Sequence, residues 1–152
     1  MALKRIIVFP DKCTGCRLCE SVCSLVNEGV VRPFKSRVRV VKVKDGLANM
    51  PIICHQCLKA PCAEQCPVNA ISSREGVVVV DRQACIGCGV CVTACPFGAV
   101  TMIDGAVLKC ELCGGDPACV KYCAAKAIQF IEVSRAAEVR QQEHALKALG
   151  VE

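Results

Sequence analysis

Sixteen cysteines in 152 residues, falling in four groups of four, constrain this chain more than any other feature. The groups are Cys13, Cys16, Cys19, Cys23; Cys54, Cys57, Cys62, Cys66; Cys85, Cys88, Cys91, Cys95; and Cys110, Cys113, Cys119, Cys123. The third reads C-x2-C-x2-C-x3-C-P. A C-x2-C-x2-C loop can wrap three thiolates around one centre, whereas the x3 step is about one helical turn and lets the fourth point away. Pro67 and Pro96 follow groups two and three and turn the chain outward, because proline cannot continue the hydrogen-bonded pattern. Ser24 and Ala124 stand in those places in groups one and four. Such recurrence is an internal repeat, not an accident of composition. It extends beyond the cysteines: Ala70-Ile71, Ala99-Val100 and Ala127-Ile128 each come four residues after the last cysteine of their group, and read as core covering the cysteine sites.

A chain with no Trp, one Tyr and four Phe has little with which to build an ordinary side-chain core. Something else must hold its middle. A disulfide framework suits secreted proteins, but Met1–Pro10 offers only a four-residue apolar run and no small-residue cleavage site. Zinc ribbons pair two C-x2-C knuckles and have no use for a third and fourth thiolate in the same run. Sixteen thiolates divide into four sets of four, the ligand count for four [4Fe–4S] cubanes. The formal charge of +5 then changes meaning. Four clusters with their thiolates carry roughly −8, which leaves the loaded chain near −3. Lys and Arg compensate cluster charge, and nucleic acid is not an expected partner, since aromatic stacking platforms are missing as well. No apolar stretch approaches the roughly 20 residues that span a bilayer, so a cytoplasmic protein with no membrane span is expected. No Gly-rich phosphate loop, acid–base pair or nucleophile elbow appears. The chain is therefore expected to be no enzyme in itself, with catalysis on another polypeptide.

Around the cysteine groups lie short strand candidates: Ile6 to Phe9, Val77 to Val80 after a Glu75-Gly76 turn, Thr101 to Ile103, and Gln129 to Ile131. Residues 37–44 alternate Val with Arg or Lys before Asp45-Gly46. That suggests a half-buried strand with a register break at Val40-Val41, its basic side either solvated or a docking stripe. From Glu132 onward the cysteines stop. Ser134 is the expected N-cap of a helix running to Leu149, with Gly150 as its stop; this tail either packs on its own domain or reaches a neighbouring chain. His55 is expected to donate to a cluster sulfur or face water, and His144 to be solvated.

Groups two and three, with their spacer, resemble a small two-cluster bacterial ferredoxin. The whole pattern, from Ile6 to Ile131, resembles the four-cluster ferredoxin-like subunits of oxidoreductase complexes: hydrogenases, formate and CO dehydrogenases, dimethyl sulfoxide reductases and tungsten-dependent aldehyde oxidoreductases. The resemblance implies an α+β fold of nested ferredoxin-like modules. An outer module takes 1–30 plus 104–131 and an inner one 48–103, with a basic hairpin linker at 31–47 and a helical tail at 132–152. It also implies crossed ligation, in which the last cysteine of each run serves the other cluster of its module. Cys54, Cys57 and Cys62 would then share a cluster with Cys95, and Cys85, Cys88 and Cys91 one with Cys66. Likewise Cys13, Cys16 and Cys19 would take Cys123, and Cys110, Cys113 and Cys119 would take Cys23. No ligand position is replaced, so no three-iron site is expected. Gly15, Gly87, Gly89, Gly114 and Gly115, among the ligands, are expected to let backbone N–H groups approach sulfur. The implied partners are a catalytic oxidoreductase subunit (a molybdenum or tungsten enzyme, or a hydrogenase) and an electron-accepting subunit or ferredoxin. End-to-end association of copies is a further expectation. Only fourteen residues separate Cys95 from Cys110, and this compactness points to a soluble complex and, among partners, to the tungsten aldehyde oxidoreductases. Outside this class stand a redox-sensing regulatory protein, a free-standing polyferredoxin and a zinc scaffold.

Overall fold

The computed structural model describes residues 3–43 and 47–150, with only the backbone of Glu143 and Lys147. In chain order the elements are β1 Lys4–Val8, α1 Leu18–Glu28, β2 Val38–Val43, β3 Ala48–Ile53, α2 Pro61–Glu64, β4 Ile71–Arg74 and β5 Val77–Val80. There follow α3 Val90–Ala94, β6 Val100–Ile103, β7 Ala106–Lys109, α4 Ala118–Lys121, β8 Ile128–Glu132 and α5 Val133–Leu149. Among the described residues the strands form four two-stranded antiparallel sheets, β1–β8, β2–β3, β4–β5 and β6–β7. Short helices mixed with small strands make this an α+β fold.

The β1–β8 pair ties the two ends of the chain together in the register Ile6↔Phe130 and Val8↔Ile128. Ile6 and Ile128 are both buried beneath it. Two hairpins turn on residues with φ > 0 at both central positions, as a tight hairpin turn demands. These are Glu75 and Gly76 between β4 and β5, and Asp104 and Gly105 between β6 and β7. The partner strand β7 was not expected from the sequence; Asp104-Gly105 is the turn signal that marks it.

In β2–β3 the register runs without interruption from Val38↔Ile53 to Val43↔Ala48. The expected break at Val40-Val41 does not form. Val38 and Val40 are buried, and Val41 simply continues the alternation by facing solvent. The Asp45-Gly46 turn lies outside the described residues. Arg37, just before β2, does not belong to a solvated basic face: it is 7% exposed and ion-paired with Glu28 at 2.7 Å.

Helix α5 begins at Val133, so Ser134 sits inside the first turn and is not its cap. The Val133 N–H donates to Leu3 O at 2.8 Å, which continues the β1–β8 pairing directly into the helix. Strand pairing thus sets the helix start, and no capping residue intervenes. Gly150, at φ +65°, closes the helix as expected. The tail leans on its own chain, with the Arg140 guanidinium 5.6 Å from the Phe9 ring centroid, while Leu146 and Leu149 face solvent.

Apolar packing falls in two clusters, and cysteines belong to both. One joins Ile6, Val38, Val40, Ile53, Leu112 and Ile128 to Cys19, Cys23, Cys54, Cys110 and Cys119. The other joins Ile71, Val78, Val80, Val100 and Val107 to Cys62 and Cys91. Each fully buried Val, Leu or Ile contributes about 1.5–3 kcal/mol, and Cys95 packs against both clusters.

Candidate metal centre

Every one of the four short helical segments holds the third cysteine of its group and places the fourth apart from it. In α1 these are Cys19 in the first turn and Cys23 one turn on. Helices α2, α3 and α4 carry Cys62, Cys91 and Cys119, and end before Cys66, Cys95 and Cys123. The fourth thiol of a run is thereby delivered to a different place from the first three. Gly87 shows how closely one such loop is packed. At φ +67° it occupies the left-handed region, and a Cβ there would stand 2.8 Å from the Gly105 carbonyl of the β6–β7 turn.

Three spaces are each lined by four cysteines from two groups. Cys54, Cys57, Cys62 and Cys95 line one. Cys110, Cys113, Cys119 and Cys23 line another. Cys85, Cys88, Cys91 and Cys66 line the third. Of the remaining four, Cys13 and Cys16 lie near enough to Cys19 to act on it electrostatically. Cys13 and Cys123 pack against the same core as Cys19. All sixteen cysteines are free thiols.

Burial pushes the Cys19 and Cys110 thiols up to about 12, and neighbouring charges add to it: Glu20, then Cys16 and Cys13, on Cys19, and Cys54 and Cys23 on Cys110. Cys119 is pushed up further by burial and then by Cys110, Cys23 and Cys113. Cys57, Cys62 and Cys91 are raised by burial too. Thiols crowded and buried in this way become thiolates only when a cation compensates them. Because Cys54 of one quartet and Cys23 of another both act on Cys110, those two quartets are neighbours. Backbone N–H groups already point at sulfur: Arg37 to Cys23 at 3.3 Å, Ala70 to Cys66 at 3.3 Å, Ala99 to Cys95 at 3.4 Å and Gln56 to Cys54 at 3.5 Å. The repeated Ala after groups two and three thus donates to the last cysteine of its own run, beyond the covering role expected of it.

Residues 47–133 match the 4Fe-4S dicluster domain, and residues 6–24 the 4Fe-4S binding domain. The chain belongs to the 4Fe-4S dicluster domain family. It is 50% identical over 123 residues to the aliphatic sulfonate oxidoreductase, polyferredoxin-like subunit, of Pyrococcus furiosus, covering 78% of this chain and 70% of that protein. It is 40% identical over 144 residues to the putative electron transport protein YsaA of Escherichia coli, covering 86% and 90% respectively. Among solved structures it is similar to the active site complex BamBC of benzoyl coenzyme A reductase with 1,5-dienoyl-CoA. The match has a TM-score of 0.52 and 26% identity, covering 99% of this chain and 93% of that one. The protein is accordingly an iron–sulfur electron-transfer protein of the oxidoreductase type, with [4Fe–4S] clusters as its cofactor.

The residues of this dicluster-family chain fit that cofactor. Among the described residues no three Cys, His, Asp or Glu converge on a single-ion site; instead, four thiols drawn from two groups line each of three spaces. His55 faces water, the second of the two expected roles, and its ring also finds a partner the sequence did not show. It is exposed and stacks on Phe97, with ring centroids 4.1 Å apart, and both rings line the Cys54/Cys57/Cys62/Cys95 space. Three buried polar residues beside the thiols, Glu20, Gln56 and Lys109, went unnoticed in the sequence. Their adjacency to Cys19, Cys57 and Cys110 is the signal that was there. Among the described residues no helix is long and apolar enough to cross a membrane.

Proposed function

We propose that this protein relays single electrons through four [4Fe–4S] clusters, between a catalytic oxidoreductase subunit and a redox acceptor, and carries no catalytic residue itself. The ligand sets are Cys54, Cys57, Cys62 with Cys95; Cys85, Cys88, Cys91 with Cys66; Cys110, Cys113, Cys119 with Cys23; and Cys13, Cys16, Cys19 with Cys123. The outer module is 1–30 plus 104–131 and the inner one 48–103, joined by the linker 31–47 and followed by the tail 132–152. The observation that carries this proposal is the meeting of four thiols from two groups around each of three separate spaces.

A cluster bound there supplies a one-electron reduction with little change in shape. The chain's part is to hold distances, exclude water and present N–H groups to sulfur. Val78, Ala99, Val100 and the His55–Phe97 stack wall off the first space, and Arg37 and Asn27 line the second, where each also reaches Cys23 sulfur. Partnership with a catalytic subunit is supported by the Pyrococcus relative, itself named as a subunit of an oxidoreductase. The compact spacing between groups three and four favours a tungsten-dependent aldehyde oxidoreductase as that partner.

The test is anaerobic purification from cells that express the protein at native level, with identification of the chain that accompanies it. A stoichiometric oxidoreductase subunit that reduces the clusters when given its substrate is the expected result. A protein that purifies alone and is reduced only by free donors overturns the subunit role. End-to-end association, for which the exposed Leu146 and Leu149 offer a surface, predicts concentration-dependent oligomers on size exclusion; a monomer at every concentration removes it.

A further inference from the structure

Two buried side chains of opposite charge stand against two different cysteine quartets. Lys109 is 2% exposed. Its Nζ donates to Val78 O and, at 3.0 Å, to Cys110 O, and the side chain lines the space of Cys54, Cys57, Cys62 and Cys95. Gln56 completes a closed ring of hydrogen bonds, accepting from Val78 N–H at 2.9 Å and donating to Cys110 O at 2.7 Å. The ammonium is thus fixed in place, and its positive charge acts on Cys57, Cys62 and Cys110. Among the described residues no carboxylate pairs with it. A buried cation without a counter-ion costs several kcal/mol; a thiolate-bound cluster of charge about −2 provides one.

Glu20 is 4% exposed and accepts the Val40 N–H at 2.7 Å. It acts on Cys19, beside Cys13 and Cys16, and among the described residues no cation pairs with it.

Resting on the four-cluster reading, we propose that Lys109 and Glu20 order the potentials along the chain. Lys109 makes the cluster of Cys54, Cys57, Cys62 and Cys95 easier to reduce, and Glu20 makes that of Cys13, Cys16 and Cys19 harder to reduce. Reduction adds one negative charge, and at a buried site a fixed charge is weakly screened, so its sign decides the direction of the shift. Of these two clusters, an electron therefore favours the one held by Cys54, Cys57, Cys62 and Cys95. A purely structural role for Lys109, as a staple between β5 and Cys110, accounts for its hydrogen bonds but gives no reason for a charge.

The test is potentiometric titration of the fully loaded chain, followed by electron paramagnetic resonance, in wild type, Lys109→Met, Lys109→Arg and Glu20→Gln. In Lys109→Met the midpoint of the Cys54, Cys57, Cys62 and Cys95 cluster moves negative, so that at a fixed poise its reduced-to-oxidised ratio falls at least tenfold, about 59 mV for one electron, and that of the Cys110 quartet moves the same way by less. Lys109→Arg keeps the charge and most of the potential. Glu20→Gln keeps shape and hydrogen bond and moves a different midpoint positive. Unmoved midpoints, four midpoints moving together, or an Arg variant that shifts as far as Met overturn the proposal. Should Lys109→Met fail to load, Glu20→Gln decides alone, with a positive shift in its favour and no shift against it. Iron and sulfide counts separate the two levels: low counts in wild type defeat the four-cluster reading, whereas full counts with unmoved potentials defeat only this ordering.

Discussion

At the scale of single residues, the proposed ligand sets give each thiol to one quartet. Cys57→Ala is expected to lower iron content by up to about four per chain while the other three quartets stay loaded; iron unchanged from wild type contradicts the assignment. The raised thiols also give a pH dependence of definite sign. Burial lifts Cys19 and Cys110 from 9.0 to about 12. In the cluster-free chain the folded form therefore holds these protons more tightly than the unfolded one. That contribution to stability is complete below about pH 9 and disappears as pH climbs toward about 12. Denaturant midpoints of the cluster-free chain should fall across that window, and equal midpoints at its two ends would contradict it. Iron reverses the sense, because its ligands must be deprotonated: the loaded protein releases iron as pH falls. The cysteines and their groupings were legible in the sequence because spacing alone encodes them. Glu20 and Lys109 were not. A charged residue beside a ligand reads the same whether it faces solvent or the interior, and only the folded backbone decides, with the Val40 N–H donating to Glu20 and the Val78 carbonyl accepting from Lys109.

Among the elements, the β1–β8 pair ties the two ends of the chain together. Ile128→Ala removes a fully buried side chain there, with an expected cost of about 2–5 kcal/mol read from the denaturant midpoint. Loss of iron from the quartets of groups one and four should precede loss from the inner module. Helix α5 is the opposite case. Nearly all its described residues face solvent, so ending the chain after Ser134 should leave iron content unchanged and the midpoint within about 1 kcal/mol. A large drop in either would show that the tail carries more than its contacts suggest. The hairpin at Glu75-Gly76 was readable from its turn residues and β-branched run, and the strands at the two chain ends from their apolar runs. Strand β7 was hidden because Ala106–Lys109 carries no alternation, being buried at Val107, Leu108 and Lys109 alike. The uninterrupted β2–β3 register was hidden for a related reason, since consecutive valines look the same whether they bulge or alternate.

For the molecule as a whole, apolar side chains supply two modest clusters, and cysteines occupy both. Cluster binding is then coupled to folding in the way of small metal-dependent domains. The direct measurement is iron and acid-labile sulfide per chain in anaerobically prepared protein, together with its unfolding after chelation. About sixteen of each, with the denaturant midpoint lowered sharply when iron is stripped, is the predicted result. Far fewer iron and sulfide, or zinc without sulfide in a chain that unfolds cooperatively all the same, would contradict it.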